Sequence, residues 1–76
     1  MKLSDELVLR CFPDRKTIEA NIEEGIATNP SKAVWLQDCR RLLAANNFYE
    51  ASKAATDAGY KCMSQAILFL GEGKIQ

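Results

Sequence analysis

Apolar residues in the second half of the chain recur at intervals of three and four, the spacing of a helix face. Between residues 33 and 63 they fall into two segments, with Asn46-Asn47 at the corner and Gly59 at the end. This pattern predicts an antiparallel helical hairpin whose inner faces pack together. The predicted inner faces carry Trp35, Cys39, Leu42 and Leu43 on the first helix and Phe48, Ala51, Ala55 and Ala58 on the second.

Capping residues predict two helices before the hairpin. Ser4 and Asp14 are favoured N-cap residues, and they precede predicted helices over 4–12 and 14–28. Pro13 separates the two because proline disfavours helical geometry in the residue before it. The predicted apolar edge of the first helix comprises Leu3, Leu7, Val8, Cys11 and Phe12, and the stripe of the second comprises Ile18, Ile22 and Ile26.

Similar signals bound the remaining helices. Asn29-Pro30 begins the first hairpin helix, which extends to about residue 45. Asn47 and Glu50 form a capping-box pattern ahead of a helix over 47–58, which Gly59 ends in a Schellman motif with residue 60 folding back. A last helix is predicted over 61–70.

No segment shows the alternation of a β-strand, so the sequence predicts an all-α fold. We expect a small bundle of four to five short helices that contains the antiparallel hairpin. Its length of 76 residues predicts one domain over 1–76, with residues 71–76 as a flexible tail.

The charged and sulfur-containing residues narrow the function. Ten basic and ten acidic side chains balance, which counts against nucleic-acid binding. The three cysteines lack close pairing and the chain has no histidine, so we expect free thiols, no metal site and a reducing cytoplasm. No apolar run is long enough to span a bilayer. Without a histidine, a phosphate-binding glycine loop or an activated nucleophile, we expect neither catalysis nor a cofactor.

The hairpin resembles a single tetratricopeptide-type unit. Trp35, Cys39 and Leu42 match the large, small and large positions of that unit's first helix, and Phe48 and Ala51 match positions of its second. Asp38 stands where the family has an apolar residue and Ala55 where it has an aromatic one. The resemblance covers about residues 33–63 and implies protein–protein binding.

An alternative interpretation is a DNA-binding regulator, because the helices over 47–58 and 61–70 also resemble a helix-turn-helix. Ala55 and Gly59 have the spacing of that motif, and Lys61, Ser64 and Gln65 would then face DNA. Gln65 departs from the motif, which buries an aliphatic residue there.

The preferred hypothesis is a small cytoplasmic interaction module, an accessory factor of bacterial or phage type that acts as adaptor or inhibitor of a larger machine. Its apolar last helix is expected to expose docking surface, which would also allow homodimers to form. The predicted partner-binding residues are Leu68 and Phe69 on that helix, with Tyr49, Lys53 and Arg41 on the hairpin.

Overall fold

The computed structural model describes residues 4–76 and folds them into five α-helices and one short 3₁₀ segment, with no β-strand in that range. The predicted all-α class is therefore confirmed. Leu3, predicted on the edge of the first helix, lies outside the described residues. The elements are α1 (Asp5–Cys11), α2 (Arg15–Thr28), the 3₁₀ segment (Pro30–Lys32), α3 (Ala33–Ala44), α4 (Phe48–Asp57) and α5 (Lys61–Glu72).

The first two helices begin at the predicted caps. The Ser4 hydroxyl accepts the Leu7 backbone N–H at 3.1 Å, and the Asp14 carboxylate accepts the Thr17 backbone N–H at 2.8 Å. These bonds satisfy amide groups that have no partner within the helix. The hydrogen bonds from the Thr17 backbone and hydroxyl also hold the pKa of Asp14 below its usual value.

Asn29 and Asn47 occupy the predicted N-cap positions, but the predicted capping hydrogen bonds do not form. Neither side chain accepts a backbone N–H of the helix that follows it, so no capping box forms with Glu50. The Asn29 amide instead donates to the Tyr60 hydroxyl at 3.3 Å. The side chain of Asn29 therefore makes a tertiary contact, although the local sequence predicted that it would cap a helix.

Three successive helices end in the same Schellman geometry. In each, a residue of positive φ follows the helix, and the next backbone N–H reaches back across the last turn. This confirms the motif predicted at Gly59 and explains how short links join α3, α4 and the segment after α5. The left-handed residues are Asn46 (φ 59°), Gly59 (φ 87°) and Gly73 (φ 85°), and the closing bonds run from Asn47 to Leu42, Tyr60 to Ala55 and Lys74 to Phe69, each 2.9 Å.

Helix α5 lies at the centre of the bundle. It packs along α4 and also contacts α1 and α2, which explains why apolar residues occur on most of its sides. None of the helices within residues 4–76 combines the length and apolar character needed to cross a membrane. The core consists of Val8, Phe12, Ile18, Ile22, Leu36, Cys39, Leu43, Ala51, Ala54, Ala55, Ala58, Met63, Ala66, Ile67, Phe69 and Ile75.

The inner face of α3 differs from the predicted one. Leu36, Cys39 and Leu43 are buried, whereas Trp35 is 41% exposed and Leu42 only partly buried. Cys39 and Leu43 belong to both faces, and the observed face is rotated by roughly 50° from the predicted one, away from Trp35 and towards Leu36. The expectation that Trp35 lines the hairpin interior is therefore wrong.

The end of the chain also differs from the predicted flexible tail over 71–76. Helix α5 continues to Glu72, and the Ile75 side chain is only 3% exposed. The Arg15 backbone N–H donates to the carbonyl oxygen of Gln76 at 2.9 Å. A buried isoleucine and this hydrogen bond thus attach the last residues to the start of α2.

Candidate protein-binding surfaces

The predicted docking residues on α5 occupy different environments. Phe69 is 2% exposed and lies in the core, with Lys74 Nζ 4.8 Å from the centre of its ring. Leu68 is partly buried. The expectation that Phe69 offers exposed apolar surface is wrong, because α5 is covered by its neighbours inside a single chain.

The predicted residues on the hairpin are accessible. Tyr49 is 66% exposed on α4, and Lys53 Nζ lies 5.6 Å from the centre of its ring. Arg41 is exposed on α3, where its guanidinium forms an ion pair with Asp38 one turn earlier. An aromatic ring beside a cation is suited to an interface, since the lysine stem adds apolar contact area.

Sequence reasoning missed an apolar surface on the outside of α3. Val34 is 74% exposed and adjoins the partly exposed Trp35, and Lys32 Nζ lies 5.8 Å from the tryptophan ring centre. We call the surface formed by Val34, Trp35, Gln37, Asp38 and Arg41 the α3 outer surface. These five residues line a shallow cavity of about 390 Å³. The sequence alone does not reveal this surface, because a stripe through Trp35 and a stripe through Leu36 both have helical spacing.

A second concave surface lies where the end of α2 meets the turn into α5. This cavity of about 700 Å³ has Phe12 and Met63 at its base and Lys32 and Lys61 among its polar residues. We call it the basic groove, defined by Phe12, Asn29, Lys32, Tyr60, Lys61 and Met63. Its residues come from three separate parts of the chain, so no local pattern could reveal it.

Close packing fixes the position of Tyr60 in the wall of the basic groove. A Cβ atom at Gly25 would lie 2.7 Å from Leu36 Cδ1 and 3.1 Å from the Tyr60 hydroxyl oxygen. Only a residue without a side chain lets both groups approach α2 so closely. Together with the hydrogen bond from Asn29, this contact holds the turn between α4 and α5 against the end of α2.

The charges of the basic groove are uncompensated. The ion pairs of the described chain are Arg10–Glu6, Arg15–Glu19, Arg40–Glu23, Arg41–Asp38 and Lys74–Glu72, and they involve neither groove lysine. Of the residues between 4 and 76 that line the groove, none is acidic. The groove also includes the start of α5, where Tyr60 supplies no side-chain cap to the first backbone N–H groups.

The thiols show no sign of activation. Burial, with a smaller effect of the Asp38 charge, raises the pKa of Cys39 to about 11. Burial, with a smaller effect of neighbouring Cys11, raises the pKa of Cys62. A nucleophilic cysteine requires the opposite shift. Between residues 4 and 76, no cluster of three or more histidine, cysteine or acidic side chains could hold a metal ion.

The side chains proposed to face DNA do not form one exposed surface. Ser64 is buried, and its hydroxyl donates to the Ser52 carbonyl oxygen at 2.9 Å and accepts from the Thr56 hydroxyl at 2.7 Å. Lys61 is exposed but Gln65 is only partly so. The expectation that Ser64 faces DNA is therefore wrong, because this residue joins α5 to α4.

Comparison of the chain with protein-family models, curated proteins and solved structures found no match. The resemblance to a tetratricopeptide unit stays a prediction. Any function must therefore be argued from the surfaces themselves.

Proposed function

We propose that this protein is a small non-catalytic interaction module that binds a protein partner through the α3 outer surface. In this role it acts as an adaptor or inhibitor of a larger assembly in the cytoplasm. The observation that carries the proposal is that Trp35 and the adjacent Val34 are both exposed on the outer side of α3.

Tryptophan is an informative residue to leave half exposed. Burying a large apolar side chain stabilises a protein or complex by about 2 kcal/mol, and tryptophan and arginine are enriched among residues that dominate binding. Here the core buries every other large aromatic side chain at least partly except Tyr49, which is also on the hairpin. A partner that covers Trp35 and Val34 would recover this apolar burial.

The polar residues around Trp35 suit the rim of an interface. Arg41 and Asp38 pair with each other in the free protein, and Gln37 adds an amide donor and acceptor. Typical interfaces surround an apolar centre with such groups, which set orientation and exclude wrong partners. The proposed surface therefore has an apolar centre and a polar edge.

A site-specific cross-linking experiment tests the proposal. A photo-reactive amino acid is placed at Val34 and, as the matched control, at Ala27, an exposed residue of α2. Cross-linking in the native host should join one protein to position 34 and not to position 27. The partner is then purified and its affinity measured for the original protein and for Trp35→Ala.

We expect Trp35→Ala to weaken binding by about 2 kcal/mol, or roughly thirtyfold, while the helical circular dichroism spectrum is retained. Equal cross-linking at the two positions, or an unchanged affinity of the variant, would show that the α3 outer surface does not bind the partner. Cross-linking of position 34 to a second copy of the chain, with a dimer in ultracentrifugation, would make the partner another copy of this protein.

A further inference from the structure

We propose that the basic groove binds an acidic segment of the partner, in which a carboxylate-bearing residue adjoins an apolar side chain. This inference deepens the proposed function and rests on it. The groove and the α3 outer surface are neighbours, because Lys32 lines the groove and also lies over the Trp35 ring.

Charge complementarity indicates the chemistry of the occupant. Lys32 and Lys61 contribute two positive charges, and the described residues that line the groove contribute no negative charge to balance them. Lys16 and Lys53 also lie outside the ion pairs of residues 4–76, so the groove lysines differ from them by lining one concave surface together. An anionic ligand in the groove would meet both positive charges at once.

The hydrogen-bonding groups of the groove favour a ligand with a carboxylate over a positively charged ligand. The first backbone N–H groups of α5 belong to Lys61, Cys62 and Met63, which line the groove and receive no side-chain cap. The Asn29 amide and Tyr60 hydroxyl stand beside them at the groove wall. N–H donors next to ammonium groups favour a negatively charged acceptor.

The base of the groove adds an apolar requirement. Phe12, Ala58 and Met63 form that base and are almost completely buried by the fold, so the apolar area open to a ligand comes mainly from the partly exposed Tyr60 and Cys62. An apolar side chain can contact these two residues while its acidic neighbour meets the lysines. Because Lys32 also lies over the ring of the exposed Trp35, a chain segment that contacts both surfaces fits the arrangement better than an isolated small anion does.

Selection of peptides tests the inference without knowledge of the partner. A library of random linear peptides is displayed and selected on the immobilised protein, and the selected peptides are synthesised for fluorescence titration. We expect them to combine aspartate or glutamate with an aromatic or aliphatic residue. Amide chemical shifts should then change around Asn29, Gly59 and Lys61.

Two charge-reversal variants provide a matched pair. Lys61→Glu and Lys16→Glu each alter an exposed lysine in the first turn of a helix, but only Lys61 lines the groove. An acidic residue suits that position in both helices, so both variants should fold. We expect Lys61→Glu to weaken peptide binding about tenfold or more, and Lys16→Glu to weaken it less than about twofold.

The outcomes separate this inference from the proposed function. Equal effects of the two variants, or selected peptides without acidic residues, would overturn the inference, while cross-linking at Val34 would still support binding through α3. Conversely, acidic peptides that require Lys61 support the groove even if Trp35→Ala leaves their affinity unchanged. If no peptide is selected but inorganic phosphate shifts the same amides, the groove binds small anions and the proposal of a peptide is wrong.

Discussion

Two aromatic residues, one on α5 and one on α3, lie in opposite environments although both belong to helices whose apolar residues have helical spacing. Phe69 lies on α5, the helix richest in apolar residues, and it is 2% exposed. Trp35 lies on α3 among charged residues, and it is 41% exposed. The apolar richness of α5 reflects the number of elements packed around it, whereas the exposed tryptophan on the more polar helix has no such neighbour to cover it.

An apolar helix in a small domain therefore indicates where the core lies, and it does not by itself indicate a binding site for a partner. α5 contacts α1, α2 and α4, so most of its faces are already covered. A domain of this size has one core, and its central helix must be apolar on several sides. The informative feature for binding is an apolar side chain that the core leaves uncovered.

The largest expected effect is from truncation of Phe69. Phe69→Ala should lower the free energy of unfolding by about 3–5 kcal/mol, because it leaves a cavity in the core. Since a domain of this length has a free energy of unfolding of roughly 4–11 kcal/mol, the substitution would remove a large part of that stability. Urea denaturation followed by fluorescence of Trp35, the single tryptophan, measures the loss.

Phe69→Leu is the control for this prediction, because it keeps most of the apolar volume. We expect it to cost less than about 1.5 kcal/mol. A small effect of Phe69→Ala would contradict the central position of α5. Phe69 would then again be a candidate residue for partner binding.

The burial of Cys39 on the inner face of α3 should make the stability of the protein fall at alkaline pH. Because folding raises the pKa of Cys39 from 9.0 to about 11, the folded state holds this proton more tightly than the unfolded state does. The resulting contribution to stability is complete below about pH 9 and is lost as the pH rises towards 11. By linkage it amounts to at most about 2–3 kcal/mol.

Stability curves of the original protein and of Cys39→Ala between pH 8 and 11 provide the measurement. The two proteins differ only at residue 39, so the difference in slope isolates the thiol. The steeper fall should belong to the original protein. Parallel curves would mean that Cys39 is not sealed between α3 and its neighbours.

A smaller effect is expected where α5 meets α4. Gly71 is exposed, yet a Cβ atom there would lie 2.9 Å from Phe48 Cβ. Glycine to alanine in an exposed helix normally stabilises by about 1 kcal/mol, but here the clash should reverse the sign and cost about 1–2 kcal/mol.

A double-mutant cycle with Phe48→Ala checks this cause. The Phe48→Ala background removes the contacts of 3.0 Å with Cγ and 3.1 Å with Cδ2 but keeps the contact of 2.9 Å with Cβ, so Gly71→Ala should cost less there by thermal or urea denaturation. If the cost is the same in both backgrounds, close contact with the Phe48 ring is not its origin.

Features set by neighbours in sequence were the ones that could be predicted. The caps at Ser4 and Asp14 and the left-handed turn at Gly59 depend on bonds within a few residues, and they formed as expected. The orientation of α3 was not predictable in this way. Stripes through Trp35 or through Leu36 both have helical spacing, and the choice is made by α2 and α4.

Features set by distant residues were missed for the same reason. Ile75 is buried against the bundle, although the sequence around it contains two glycines and no helical repeat. The basic groove joins Phe12 to Lys32 and Lys61, which are separated by tens of residues. Of the predicted docking residues, Tyr49, Lys53 and Arg41 are exposed, but the part of the surface around Val34 required the structure.

Truncation of the exposed Tyr49 should have the smallest effect on stability. Tyr49→Ala removes an aromatic ring as Phe69→Ala does, but from a residue that is 66% exposed. We expect it to change the free energy of unfolding by no more than about 1 kcal/mol, as is usual for surface substitutions. The difference between these two truncations measures how much of the apolar surface is used for folding.

The same variant tests whether the binding surface extends from α3 to α4. If partner affinity depends on Trp35 but not on Tyr49, the interface is confined to α3 and the basic groove beside it. A loss of affinity in Tyr49→Ala as well would extend the interface over α4, where Lys53 lies against the tyrosine ring. A stability loss as large as that of Phe69→Ala would instead place Tyr49 in the fold and remove it from the candidate residues for binding.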